Sequence, residues 1–421
     1  MRFSTARRPW HSAPVWLAGI VCAVAVSARA ADLADYTGNY SLGDRILAIA
    51  EWEVDAAAPH VLAFTDLASG RFGVLSEAGA DEFVLHAGVM AGPEVARLHF
   101  VRKDNEMVAL IFQAKTATRI RHRRVETMVR SGDVELPATL FLPAGAGPFP
   151  AVVIVPAGRV GRMAAATFPN FFLSEGFAVL AYDGRQKSGP IEERASDAIA
   201  AAQLLRGRSD VDGKRIGLWG HSQGGWLSIV AASKSPDIAF VIDHSGMFVP
   251  AWQQELYRVA AEGGFSVDAA EAMAFETRMM DVARSGKGWD ELASALANAH
   301  GAWTDLVYKP ASLEELQRVW RDDFSFDPRP FAARVKQPVL ALFGGLDRST
   351  PMESAANLKH AMPADARLTE MFFATADHAF LDAVTGGNAE IPTLTRFVPG
   401  MFDAMRTWLR SVSERAHRRR G

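Results

Sequence analysis

One cysteine, Cys22, stands among 421 residues, and it lies inside an apolar stretch near the N-terminus. Beyond that stretch the chain can form no disulfide, no thiolate metal site and no cysteine nucleophile. A basic excess is also missing. The 45 Lys and Arg face 48 Asp and Glu, a net charge of -3, which argues against a dedicated nucleic-acid binder. No apolar run reaches the roughly 20 residues of a membrane span. Ala13 to Val26 is the best candidate and falls short. The histidines show no HExxH-type spacing, so no metal centre is expected.

The N-terminal stretch reads differently. Arg2, Arg7 and Arg8 precede the apolar run, and Ala28-Arg29-Ala30 follows it. A basic region, a short apolar core and small residues before a cut predict a secretory signal peptide over residues 1–30. Val21 is too large for the small residue that precedes a lipid-modified cysteine, so a lipid anchor is not expected. Cleavage after Ala30 would remove four arginines, leaving 41 basic residues against 48 acidic ones and a net charge of -7. The expected destination is the periplasm or the medium, with no stable membrane anchor after cleavage. A basic run, Arg415 to Arg420, predicts a solvated tail over residues 416–421.

Two rhythms divide the rest, where 49% hydrophobic and 22% charged residues suit an ordinary folded core. Residues 31–118 alternate short apolar runs with turn formers. Ile46–Ile49, Val61–Phe64, Phe72–Leu75, Phe83–Leu85, Leu98–Val101 and Met107–Phe112 are predicted strands of a small antiparallel, barrel-like β domain. Residues 119–415 change pattern. Ala151–Val155, Phe177–Tyr182, Ile216–Trp219, Phe240–Ile242, Val339–Phe343 and Leu368–Phe373 are buried-strand runs separated by helical sequence. That alternation predicts an α/β fold with a mostly parallel, doubly covered sheet. From about 249 to 335 the alternation stops. There, Met273, Phe275, Met279, Met280, Trp289, Trp303 and Trp320 mark a helical cap whose aromatics fill its own core, with a subset expected to face the site.

The chemistry concentrates in Gly220-His221-Ser222-Gln223-Gly224-Gly225. G-x-S-x-G is a common pattern, but here it follows a strand and precedes a helical run, the context of a nucleophile elbow. A sharp turn crowds its neighbours, so the residues two away from the serine must be minimal. The same turn sets the Gln223 amide at a helix N-terminus, where it can donate to an oxyanion. A serine hydroxyl needs a base, and the base a carboxylate to orient it. Asp347 lies in Gly344-Gly345-Leu346-Asp347 after one strand, and His378 lies in Asp377-His378 after the last. Their order, serine then acid then histidine, is the one expected here. Asp377 is the rival acid, badly placed as an immediate neighbour of His378. Asp183 is read as structural, His221 as a packing or hydrogen-bonding residue, and His244 as a satisfied histidine at a strand end.

These segments resemble the α/β-hydrolase superfamily, especially the branch of dienelactone-hydrolase-like, acyl-thioesterase-like and prolyl-peptidase-like enzymes, from about Arg119 to Trp408. The β domain resembles the small barrels found beside some serine-hydrolase domains. The resemblance implies a Ser-Asp-His hydrolase working through an acyl-enzyme, without metal or organic cofactor. One departure stands out. Where the family commonly carries a His-Gly oxyanion loop, this chain has Pro156-Ala157-Gly158-Arg159-Val160-Gly161-Arg162. Gly158 is the expected second oxyanion donor, with Arg159 the fallback, and Arg159 and Arg162 either are solvated or meet an anionic substrate group. A small-molecule ester is the expected substrate. Two alternatives stay open: a peptidase of short peptides, and a non-catalytic binding protein on a hydrolase scaffold. Acyl and alcohol specificity and oligomeric state are not encoded in these patterns.

Overall fold

The computed structural model describes residues 33–53, 60–89, 92–158, 160–185, 189–264 and 266–418. The signal segment expected at residues 1–30 and the fallback donor Arg159 lie outside the described residues.

Eight antiparallel strands form a closed barrel: β1 (Gly38–Leu42), β2 (Arg45–Trp52), β3 (Val61–Asp66), β4 (Phe72–Gly79), β5 (Glu82–Ala87), β6 (Glu94–Lys103), β7 (Glu106–Phe112) and β8 (Lys115–Ile120). Six were predicted. The two that were not, β1 and β8, are the pair that closes the barrel, with Asn39 opposite Ile120 and Ser41 opposite Thr118. Their residues are too polar to read as apolar runs; barrel closure pairs them, and each turns an inward residue, Tyr40 and Ala117, into the barrel core.

The strand period of two divides β2 between two cores. Leu47 and Ile49 point into the barrel with Tyr40, Phe64, Phe100 and Phe112. Ala48 and, on β3, Ala63 face the other way and pack in the core of the second part. Those two small residues let α1 (Thr167–Ser174) lie close against the barrel. Polar groups fix the docking. Asn39 Nδ2 donates to the Asn170 carbonyl at 2.8 Å, Asn170 Nδ2 donates to the Ile49 carbonyl at 3.0 Å, and the buried Thr65 and Thr167 hydroxyls are 2.6 Å apart.

The second part is built on an eight-stranded sheet of order β16-β15-β14-β13-β11-β12-β10-β9. Its strands are β9 (His122–Ser131), β10 (Val134–Pro143), β11 (Phe149–Val155), β12 (Ala178–Tyr182), β13 (Val211–His221), β14 (Phe240–His244), β15 (Val339–Gly344) and β16 (Leu368–Phe373). The β9–β10 hairpin and its pairing to β12 are antiparallel; the remaining pairs are parallel. Both faces are covered. One core packs α2 (Ile191–Arg206) and α3 (Gln223–Lys234) on the sheet, and the other packs α1, the barrel and the C-terminal helix.

Between β14 and β15 the chain forms the cap: α4 (Ala251–Glu262), α5 (Val267–Ser285), α6 (Trp289–Ala297), α7 (Leu313–Val319), a π-helical turn at Trp320–Phe324 and the short α8 (Arg329–Ala332). Met279, Leu292 and Phe324 make one cap core, with Phe275, Trp289 and Trp320 packed against it. Trp303 and Val259 make a second. The aromatics therefore serve the cap's own interior. The chain ends with α9 (Glu353–Ala361) and α10 (Met401–Arg418), the latter continuing as helix into the segment read as a basic tail.

Candidate active site

The elbow forms because β13 runs directly into α3 with one residue between them. That residue, Ser222, has φ 56° and ψ -122°, a conformation that costs an L-residue about 1–3 kcal/mol and is held only where its surroundings insist. They do. A Cβ on Gly220 would stand 2.0 Å from the Gly224 carbonyl oxygen, and one on Gly224 would stand 2.4 Å from the Val155 carbonyl oxygen. The Ser222 amide donates to the His244 carbonyl at 2.8 Å, tying the turn to β14. Ser222 itself is 4% exposed.

Asp347 follows β15 and His378 follows β16, so both emerge at the same end of the sheet as Ser222. His378 Nδ1 lies 2.9 Å from both oxygens of Asp347. Asp347 Oδ1 also accepts the amides of Ser349 and Thr350, each at 2.8 Å. Burial works to raise the Asp347 carboxyl and is the largest single influence. The His378 charge and hydrogen bond, with the two amides, outweigh it, and the carboxyl is held below its ordinary value. For His378 burial works downward. The Asp347 charge and hydrogen bond, with Asp377 and Glu262, reverse it, and the imidazole is held above its ordinary value.

The His378 main chain is also gripped. Its carbonyl faces His221 Nε2 at 2.7 Å and accepts the Ser245 hydroxyl at 3.2 Å. Burial pushes the His221 imidazole down to about 4, so it is neutral at neutral pH. A carbonyl only accepts, so His221 carries its proton on Nε2. The His221 and His378 rings stand 4.8 Å apart, which brings the strand end bearing Ser222 against the histidine loop. None of the hydrogen bonds among the described residues joins the Ser222 hydroxyl to the imidazole. From the cap, Tyr257 donates to the Asp347 carbonyl and Gln254 to the Ser349 carbonyl, both at 3.0 Å, so α4 holds the acid loop from outside.

The rival carboxylate takes no part in the imidazole bond. Asp377 Oδ1 accepts the Leu381 amide at 2.8 Å, and burial pushes its carboxyl up to about 7. It shapes the loop. His244 departs from the sequence reading. It is fully buried, and neither ring nitrogen has a hydrogen-bond partner among the described residues. Its contacts are rings: Phe380 at 4.2 Å, Phe168 at 5.2 Å and Trp219 at 5.6 Å. Burial holds it neutral.

Gly158 lies in the turn after β11 with φ 68°. Past it, the loop is fastened from two directions. The Arg162 amide donates to Asp183 Oδ1 at 2.8 Å and its Nη1 to Oδ2 at 2.6 Å, while Nε reaches Thr139 at 2.9 Å and Nη2 reaches Glu126 at 3.4 Å. Arg162 is thus committed within the fold and is neither simply solvated nor free to greet an anionic substrate. From the barrel side, Glu53 Oε1 accepts the Gly161 amide at 3.3 Å. Sequence reasoning missed Tyr257, Arg194 and Asp323. Arg194 and Asp323 are 129 positions apart, and no motif links them. Among the described residues no cluster of His, Cys, Asp or Glu could hold a metal ion.

A parallel sheet that delivers a strained serine from its central strand into a helix, at the same end as an imidazole bonded to a buried carboxylate, defines the α/β-hydrolase fold with its nucleophile elbow. Comparison with known proteins narrows the class. Residues 131–379 match the family described as X-Pro dipeptidyl-peptidase (S15 family), and the chain belongs to that family. Over 110 residues it is 32% identical to a bis(hydroxyethyl) terephthalate hydrolase of Streptomyces coelicolor, covering 25% of this chain and 36% of that one. Over 116 residues it is 34% identical to the esterase EstD of Thermotoga maritima, covering 24% and 28%. The chain thus spans about a third of the length of these curated relatives. Among solved structures, 2,6-dihydroxy-pseudo-oxynicotine hydrolase is similar at a TM-score of 0.44 and 18% identity, covering 69% of this chain and 68% of that one.

Proposed function

We propose that the protein is an exported hydrolase of carboxylic esters, with Ser222 as nucleophile, His378 as base and Asp347 as the carboxylate that orients it. The observation that carries this reading is the Asp347–His378 hydrogen bond at the rim of the sheet where the elbow presents its serine. Ser222 Oγ attacks the ester carbonyl carbon while His378 Nε2 takes the hydroxyl proton, the bond between them closing as substrate seats. The carbonyl oxygen becomes an oxyanion facing the amides of Gln223 and Gly158. Collapse breaks the carbon–oxygen bond, and His378 returns the proton to the departing alcohol. Water then repeats the sequence on the acyl-enzyme, releasing the acid and restoring Ser222. Asp347 keeps the proton on Nδ1 and steadies the imidazolium.

Ester cleavage is supported by the two curated relatives, whose names describe a terephthalate ester hydrolase and an esterase. Cleavage of short peptides is a second reading, favoured by the family match. The deciding experiment is a panel of chromogenic esters of varied acyl length, run beside aminoacyl and X-Pro amides. Ser222→Ala is expected to fold normally and lose turnover by orders of magnitude; retained turnover would overturn the assignment. A fluorophosphonate that leaves a folded protein unlabelled would favour a non-catalytic binding role. Export rests on the basic–apolar–small pattern of residues 1–30, and mass spectrometry of the mature N-terminus, expected at Ala31, tests it.

A further inference from the structure

Behind the elbow, three side chains from three separate elements close a ring. Arg194, in the first turn of α2, donates from Nη1 to Gln223 Oε1 at 2.9 Å. Gln223 donates from Nε2 to Asp323 Oδ1 at 3.5 Å. Arg194 Nη2 donates to that same Asp323 oxygen. The ring is sheltered, with the Arg194 side chain 8% and the Asp323 side chain 17% exposed. A buried guanidinium requires a counter-charge, and the anion facing it here is Asp323, which belongs to the cap.

The backbone that presents Asp323 is unusual. The turn Trp320–Phe324 is π-helical, with the Ser325 amide reaching back five residues to the Trp320 carbonyl at 2.8 Å. Such turns are rare and gather at functional sites. Next to it the cap is stitched to the same helix again. Phe326 packs on Trp226 of α3 with ring centroids 5.7 Å apart, and its carbonyl accepts the Ala251 amide at 2.9 Å.

Gln223 is the residue whose main-chain amide follows the strained Ser222. A side chain clamped on both its oxygen and its nitrogen leaves that residue little freedom to rotate. We propose that Asp323 is a positioning residue: by closing the ring with Arg194 and Gln223 it ties the cap to the nucleophile elbow and holds the Gln223 amide on the oxyanion. Seating of the cap and completion of the oxyanion site are then one event. This rests on the reading of Ser222 as nucleophile.

Asp323→Asn keeps the shape and removes the charge. It is expected to lower kcat on a chromogenic ester by about 10- to 100-fold, below the 10²- to 10³-fold of an outright lost donor, with KM within about twofold. The acid limb of the pH profile stays in place, because His378 is untouched. Affinity for a trifluoromethyl ketone, which adds Ser222 and carries an oxyanion, falls by the same factor as kcat/KM, while affinity for the carboxylic acid product does not. Gln223→Met cuts the ring from the elbow side and leaves the Arg194–Asp323 pair. The two changes together are expected to cost no more than the worse one alone.

Fluorophosphonate titration to completion counts intact sites. A rate loss fully explained by fewer titratable sites, or both variants within twofold of the parent in kcat and ketone affinity, overturns the proposal. If Asp323→Asn fails to fold, Gln223→Met decides by the same criteria. Failure of the underlying reading looks different: the probe would then label a residue other than Ser222, or none.

Discussion

Replacing Asp347 by Asn tests the acid–base pair at the atom where it acts. In the native site Oδ1 accepts the Ser349 and Thr350 amides, and both oxygens stand 2.9 Å from His378 Nδ1. Asparagine must choose which end faces the loop. An NH2 at the Oδ1 position would confront two buried N–H donors, each costing about 1–3 kcal/mol when left without an acceptor. The carbonyl therefore takes that position, still 2.9 Å from Nδ1, and the NH2 falls at the same distance on the other side, where its hydrogens oppose a ring N–H and donate to a bare nitrogen. The ring proton then moves to Nε2, the atom that accepts from Ser222 in the proposed mechanism. Regaining the working tautomer means reversing the flip at about 2–6 kcal/mol, so kcat is expected to fall by about 30- to 20,000-fold at roughly 1.4 kcal/mol per tenfold. Steady-state rates on a chromogenic ester measure the loss, and thermal unfolding checks that the fold survives. In the parent protein the acid limb of kcat/KM should fall above pH 6.5, since the imidazole is held above its ordinary value. A loss of less than tenfold in a well-folded Asp347→Asn protein would refute the tautomer argument.

Two further outcomes are expected away from the imidazole. Asp243, wholly buried at the end of β14, has its carboxyl pushed up to about 8 by burial. Between about pH 4 and 8 the folded chain keeps a proton that an ordinary unfolded aspartate has released. Stability from this group therefore declines as pH rises through that window. Asp243→Asn should gain melting temperature over the parent progressively from pH 4 to 8 and level off above; a constant difference across the window would contradict the assigned direction. Gly220→Ala places a methyl 2.0 Å from a backbone oxygen that cannot swing aside, and should lower stability by about 1–3 kcal/mol as well as reduce kcat. Denaturant unfolding showing no change would mean the elbow is looser than its geometry indicates.

Much of the sheet could be read from sequence because doubly buried strands write themselves as unbroken apolar runs, as Ala151–Val155 and Val339–Phe343 do. The elbow was legible for a different reason: its steric crowding admits only glycine at certain positions, so the backbone constraint leaves a spelling. Asp347 and His378 could be located because each follows a readable strand. The closing strands β1 and β8 were not legible, since their pairing is decided by barrel closure and their side chains are mixed. Nor was the Arg194–Gln223–Asp323 ring, because a contact between remote segments has no local pattern and a π-helical turn has no spelling of its own. Arg162 was misread for the same cause. Its partners Asp183, Thr139 and Glu126 come from three other stretches of chain, and charge alone does not disclose them.

The docking of the barrel onto α1 bears on how the protein can be cut or lost in pieces. A chain begun at Arg119 would uncover Ala48's packing partners together with the Thr167 hydroxyl, the Asn170 carbonyl and the Asn170 side-chain amide, groups now answered by Thr65, Asn39 and the Ile49 carbonyl in turn. It would also release Gly161 from Glu53, loosening the strip that follows Gly158. The N-terminal part is therefore no detachable ornament, and it is expected to melt together with the sheet it docks on in one cooperative transition.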